Sequence, residues 1–180
     1  MDEDLERILI GEKEIKKRVK ELGESISKDY QGKELVLVGI LRGAIIFLAD
    51  LAREINVPMK VDFMAVSSYG SSTKTSGVVR ILKDLDDDIR GKDVLIVEDI
   101  VDTGLTLKYL LKNLKSRKPA SLKVCSLLKK ENKQQISLDI DYCGFKVPDN
   151  FIVGYGLDWD EKYRNLSCIY VLKPELYNED

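Results

Sequence analysis

Residues 94–106 read Val-Leu-Ile-Val-Glu-Asp-Ile-Val-Asp-Thr-Gly-Leu-Thr. The apolar run Val94–Val97 suits a strand buried on both faces. Glu98 and Asp99 stand where that strand should end, and Asp102, Thr103, Gly104 and Thr106 follow. Leu107, Leu110, Leu111 and Leu114 then recur at helical spacing, as one apolar stripe. The stretch is therefore a strand, an acidic tip, a small loop and a helix start. A glycine-containing loop at a helix N-terminus is an anion site, because free amides and the helix dipole both face the ligand. Amides and threonine hydroxyls suit a phosphate. Carboxylates just before them suit ribose hydroxyls or a hard cation such as Mg2+.

Outward from this stretch, similar apolar runs recur. Leu35–Val38, Val61–Val66 and Leu122–Leu128 read as further strands, and Phe151–Val153 as a sixth. Between them, Gly39–Gly43 reads as a loop and Ala44–Ile55 as a helix. Residues 11–29 form an amphipathic surface helix, with Ile15, Val19, Leu22 and Ile26 on one face. Buried strands alternating with helices predict an α/β fold: a single domain over residues 1–180, with a central, mostly parallel, twisted sheet flanked by helices. Ligands in such sheets sit at the carboxyl ends of the strands, where the acidic tip also lies.

The composition closes off other classes. A net charge of −2 gives no global attraction to nucleic acid or an anionic membrane. The apolar runs are too short for a membrane span. The acidic start, Met1-Asp2-Glu3-Asp4, does not resemble a secretory signal, so the expected compartment is the cytoplasm. Cys125, Cys143 and Cys168 are far apart and form no CxxC, so neither a zinc ribbon nor a redox pair is expected. Histidine is absent, which excludes a Ser-His-Asp triad and any histidine-ligated metal. Acid–base work falls to carboxylates, lysines or tyrosines, and an oxygen-bound metal would favour magnesium over zinc. Gly154-Tyr155-Gly156 lacks the third glycine of a dinucleotide fingerprint. The acid-rich run Lys83–Asp88 reads as a solvated turn, and Ser67–Gly77 as a polar, flexible hairpin.

The string of apolar residues, two acids, two apolar residues, then Asp-Thr-Gly-x-Thr resembles the phosphoribosyl pyrophosphate signature of type I phosphoribosyltransferases. Four further segments resemble the branch that takes hypoxanthine and guanine, so the likeness runs from about Leu35 to about Leu166. It implies that Glu98, Asp99, Ile100, Val101, Asp102, Thr103, Gly104, Leu105 and Thr106 bind phosphoribosyl pyrophosphate, with Asp102 as the catalytic base at purine N7. Leu41-Arg42-Gly43 is similar to the pyrophosphate loop, with a cis peptide before the basic residue, and Arg164 would hold pyrophosphate with it. Ser68-Tyr69 resembles the serine-tyrosine pair of a mobile lid, here about residues 67–80. Lys130, or its neighbour Lys129, would bind the 6-oxo group of the purine. Phe151 would stack on the base, the Ile152 backbone would read its edge, and Asp158 would sit near a second magnesium. Glu98 and Asp99 would meet the ribose directly or through Mg2+, making Glu98, Asp99 and Asp158 the candidate metal contacts. A small hood of about residues 145–180 with the N-terminus would cover the site. The family makes homodimers and homotetramers. Some relatives sense phosphoribosyl pyrophosphate as transcription regulators, but a pI near 5.4 and no helix-turn-helix extension weigh against that here.

Overall fold

Strand β5 (Asp93–Val101) lies near the middle of a six-stranded sheet, and the other elements follow from its need to be covered on both faces. The computed structural model describes residues 2–68, 79–131 and 138–177. In chain order, β1 (Leu5–Ile10) leads into α1 (Glu12–Asp29), β2 (Leu35–Leu41), α2 (Ile45–Glu54), β3 (Met59–Ser68) and β4 (Val79–Lys83). After β5 come α3 (Leu105–Ser116), β6 (Ser121–Lys130), β7 (Tyr142–Val147), β8 (Ile152–Val153) and β9 (Ile169–Leu172). The large sheet runs β4-β3-β2-β5-β6-β7. All its neighbours pair in parallel except β3 with β4, so the expected mostly parallel α/β fold is present.

Side chains alternate across the pleat and sort into two cores. Leu35, Leu37, Leu95, Val97, Cys125 and Leu127 pack with Ile15, Val19, Leu22 and Ile26 of α1 and with Phe47, Leu48 and Leu51 of α2. Val36, Val38, Ile40, Val94, Ile96 and Val124 pack with Leu107, Leu110 and Leu114 of α3. Burial on both faces explains why these strands are continuous apolar runs rather than alternating ones.

Several boundaries differ from the sequence expectation. β5 does not end at Val97 but continues through both acids to Val101, held by Glu98 opposite Ser126 and Ile100 opposite Leu128. β2 likewise reaches Leu41, so the expected loop from Gly39 shrinks to the turn after that residue. Phe151–Val153 is not a sixth parallel strand. Its Ile152–Val153 pairs antiparallel with β9, which pairs antiparallel with β1, forming a separate three-stranded sheet. The acid-rich turn after β4 is pinned as well as solvated: Asp62 accepts a hydrogen bond of 2.9 Å from the Asp86 amide. Ser68 is the last residue of β3 and pairs with Val79, while Tyr69 and the rest of the expected lid to residue 78 lie outside the described residues. No described helix is long and apolar enough to cross a membrane.

α1 crosses α2 at Gly23. A Cβ there would lie 2.5 Å from Glu54 Cβ and 2.7 Å from the Glu54 carbonyl oxygen. Gly23→Ala would gain about 1 kcal/mol of helix propensity. The clash is with backbone that cannot swing away, and overpacking costs about 1–3 kcal/mol. The expected net result is destabilisation, read as a lower urea midpoint; a midpoint raised by the substitution would show that the helices separate freely.

Candidate active site

The loop that follows β5 turns on Gly104, whose φ of +83° falls in the left-handed region immediately before α3. An L-residue would pay about 1–2 kcal/mol there. Gly104 brings no side chain to cap the helix, and the first helical bond runs from the Lys108 amide to its carbonyl. Thr103 Oγ1 makes a long contact of 3.4 Å with the Leu105 amide. The loop thus closes around a cavity of about 110 Å3 lined by Glu98, Ile100, Val101, Asp102, Thr103, Gly104, Thr106 and Leu107. Amides, two threonine hydroxyls and a helix N-terminus converge there, a setting that favours an anion.

Because β5 runs on through the acids, Glu98 and Asp99 point to opposite sides of it. Glu98 is buried and lines the loop cavity. Burial, with the neighbouring Asp99 charge, pushes its carboxyl well above the usual range. Asp99 faces the turn after β2: a Cβ on Gly43 would sit 1.6 Å from Asp99 Oδ2. Burial raises the Asp99 carboxyl to about 6, opposed by hydrogen bonds to backbone amides, including that of Ile100 at 2.7 Å, and by the Arg164 charge, while Asp158 adds to the rise. The two acids therefore approach the space beyond the strand end from different sides, Glu98 by the loop cavity and Asp99 by the turn after β2.

The turn itself holds a cis peptide between Leu41 and Arg42, as the family likeness implied. On the side away from Asp99, a Cβ on Gly156 would lie 2.1 Å from the Gly43 carbonyl oxygen. Three separate pieces of chain therefore meet at Gly43, with the Asp99 carboxyl against one side and the Gly156 backbone against its carbonyl, and neither glycine has room for a side chain. Arg164 ties the third piece: its Nη1 donates to the Gly156 carbonyl at 2.8 Å and its Nη2 pairs with Asp158 at 2.8 Å. Arg42, mostly exposed, pairs with Glu161 at 2.8 Å.

At the end of β6, Lys130 is only 9% exposed, and its ammonium lies 3.1 Å from Asp149 and 3.7 Å from Asp102. Lys129, one residue earlier on the pleat, pairs in register with Val101 and Lys146. Lys130 is therefore the lysine that meets Asp102. Ile152, buried, lies in β8 of the small sheet, and Phe151 just before it packs against the cluster of Val153, Tyr163 and Leu172. The Phe151 ring stacks on Tyr177, centroids 5.1 Å apart. Asp149, Glu161 and Tyr177 join the site without having been singled out in the sequence. An acid in a proline-containing turn, a glutamate in a charged loop and a tyrosine near the C-terminus carry no periodicity or spacing to mark them.

Comparison with known proteins shows the family and the fold. The phosphoribosyl transferase domain profile matches residues 8–160. A Mycobacterium tuberculosis protein named hypoxanthine-guanine phosphoribosyltransferase is 54% identical over 180 residues, covering 97% of this chain and 89% of its own. One of the same name from Bacillus subtilis is 50% identical, covering 98% of each. The crystal structure of a hypoxanthine phosphoribosyltransferase from Staphylococcus aureus superposes with a TM-score of 0.95 at 49% identity, covering 99% of this chain and 97% of that one. Fold, loop and full-length similarity lead to one conclusion: this chain belongs to the phosphoribosyltransferase family.

Proposed function

We propose that this phosphoribosyltransferase serves purine salvage, moving ribose 5-phosphate from phosphoribosyl pyrophosphate to hypoxanthine or guanine and releasing pyrophosphate. The observation that carries the purine assignment is the approach of Lys130 to Asp102, 3.7 Å between charged atoms. N7 and the 6-oxo group are neighbours on one edge of a purine. A carboxylate that accepts the N7 proton and an ammonium that donates to the 6-oxo group must be neighbours too. Adenine carries a donor at that position and would leave Lys130 facing another donor.

The remaining roles follow from placement. The Asp102–Thr106 loop would hold the 5′-phosphate on amides and the Thr103 and Thr106 hydroxyls. Positive charge develops on the ribose as the leaving group departs, and the Glu98 and Asp99 carboxylates beside it would stabilise that charge. The Leu41–Gly43 turn and Arg164 would receive pyrophosphate. Phe151, Tyr177 behind it, and the Ile152 backbone would border the base. The lid, with Ser68 at its root and Tyr69 within it, would keep water from the activated sugar.

Magnesium fits this donor set. The carboxylates are hard oxygen ligands, and Asp158 is close enough to Asp99 for the two charges to repel. Among the described residues no three acids, cysteines or histidines gather into a site that holds a metal unaided. A cation here would take Asp99, Asp158 or Glu98 on one side and substrate oxygens on the other, as Mg2+ characteristically does. Bound in that way it neutralises the pyrophosphate oxygens. The three cysteines are free. Ile45 and Ile46, exposed at the start of α2 beside the Arg42 turn, support assembly as a homodimer or homotetramer.

The assay is pyrophosphate release from phosphoribosyl pyrophosphate and Mg2+ with hypoxanthine, guanine, xanthine or adenine. Release with the first two and not with adenine is expected; tight binding without turnover would instead indicate a sensor. Asp102→Asn should lower kcat by roughly 10^2 to 10^4 with substrate affinities little changed. Lys130→Ala should blunt discrimination among purines and spare phosphoribosyl pyrophosphate binding; Lys129→Ala producing that phenotype would reassign the contact.

The acid pair also predicts a stability effect in the ligand-free protein. Asp99 binds its proton more tightly folded, near 6, than at its ordinary 3.8. Its contribution is therefore most favourable below pH 4 and declines as pH rises through 6, by up to about 3 kcal/mol. Asp99→Asn removes that decline. Its melting temperature should exceed the parent's by several degrees at pH 7.5 and converge with it near pH 4. A constant offset across that range would show that Asp99 does not titrate there.

A further inference from the structure

Glu161 stands between the two cations assigned above to pyrophosphate. Its Oε2 is 2.8 Å from Arg42 Nη1 and 3.4 Å from Arg164 Nη2. One carboxylate oxygen thus bridges a guanidinium from the turn after β2 and a guanidinium from the strap that follows β8. Arg164 is held by Asp158 and the Gly156 carbonyl, so it is not free to leave.

The backbone aims Glu161 at this place. Trp159 and Lys162 exchange hydrogen bonds of 3.3 and 3.0 Å, closing a two-residue turn. Its central residues, Asp160 and Glu161, have φ of +52° and +60°. Two left-handed residues in such a turn are normally asparagine and glycine. Here both are acids, and the conformation persists because the Glu161 amide donates to Asp158 Oδ2 at 3.0 Å. Asp158 therefore fixes Arg164 with one oxygen and turns Glu161 back towards it with the other.

We propose that the Glu161 carboxylate is an internal stand-in for the leaving group: it occupies the pyrophosphate seat in the ligand-free enzyme, gives way to pyrophosphate groups, and hastens their departure. The proposal rests on the reading of Arg42 and Arg164 as pyrophosphate contacts. Two guanidinium groups facing one point repel each other without an anion, and Glu161 supplies one. Its pairing with Arg42 is exposed on both sides, at 64% and 72%, so it is weak and displaceable. Pyrophosphate carries more charge than a carboxylate and wins both arginines. The displaced Glu161 remains tethered beside it as a like charge that opposes retention. The purine and the 5′-phosphate touch neither arginine and escape this effect.

The test is the inhibition constant of inorganic pyrophosphate, competing against phosphoribosyl pyrophosphate, in the full-length protein and in two variants. Glu161→Gln keeps shape and removes the charge. Asp160→Asn removes the same charge from the adjacent residue, which pairs with Lys162 at 3.3 Å and not with either arginine. Glu161→Gln should lower the inhibition constant roughly three- to tenfold, slow pyrophosphate release in pre-steady-state mixing, and leave the KM for hypoxanthine within about twofold. Asp160→Asn should leave all three within about twofold. Equal tightening by both variants would reduce the effect to net charge and overturn the proposal. Weaker pyrophosphate binding by Glu161→Gln would overturn it too, making Glu161 a support for the arginines. If pyrophosphate does not compete with phosphoribosyl pyrophosphate in the unaltered protein, the assignment of the arginines falls and the proposal with it.

Discussion

Strand β5 has no exposed face along Val94–Val97, and the rest of the molecule is arranged to allow this. α1 and α2 cover one side and α3 the other, while β2 and β6 satisfy its backbone on both edges. A strand held on four sides can carry carboxylates that would be costly elsewhere, because its backbone cannot shift to let water in. Glu98 and Asp99 are placed where burial is ending, Glu98 at the edge of the loop cavity. Their raised protonation is the electrostatic cost of that position in the ligand-free state. A bound cation or a developing positive charge turns the same burial into attraction, since low dielectric strengthens whatever charge arrives.

The parts legible in the sequence were those governed by one dominant force. Val94–Val97 and Leu35–Val38 are unbroken apolar runs because both faces are covered, and α1 shows its stripe because only one face is. The loop after β5 was legible because a left-handed turn into a helix start calls for glycine, and the residues around it keep the order of the family signature. β1, β4, β7 and β9 were not found, and Lys83, read as part of a solvated turn, ends β4. β1 is Leu-Glu-Arg-Ile-Leu-Ile, mostly exposed at a sheet edge, and β7 places a glycine and a lysine among its apolar residues. Such strands are specified by their partners, and pairing partners across long separations leave no local pattern.

The facing of the acids was illegible for a different reason. Whether adjacent residues share a side depends on whether the strand has ended, and two polar residues look like an ending. Val101, buried in the α3 core, keeps β5 extended past them. Side-chain partners from distant loops lie further still from sequence reading. Asp149 beside Lys130, Tyr177 behind Phe151 and Glu161 between two arginines are contacts made by topology, each between residues with no reason to be read together.

The small sheet is built from both ends of the described chain. β1 pairs with β9 alone, and β8 reaches β1 only through β9. During synthesis, β1 emerges before β9 and waits, unpaired, until all the elements between them have followed. The six-stranded sheet and the phosphate loop have by then all their strands and can close. A nascent chain would therefore close the six-stranded sheet and the loop after β5 before its small sheet exists. Closure of the small sheet is, in this sense, timed by β9.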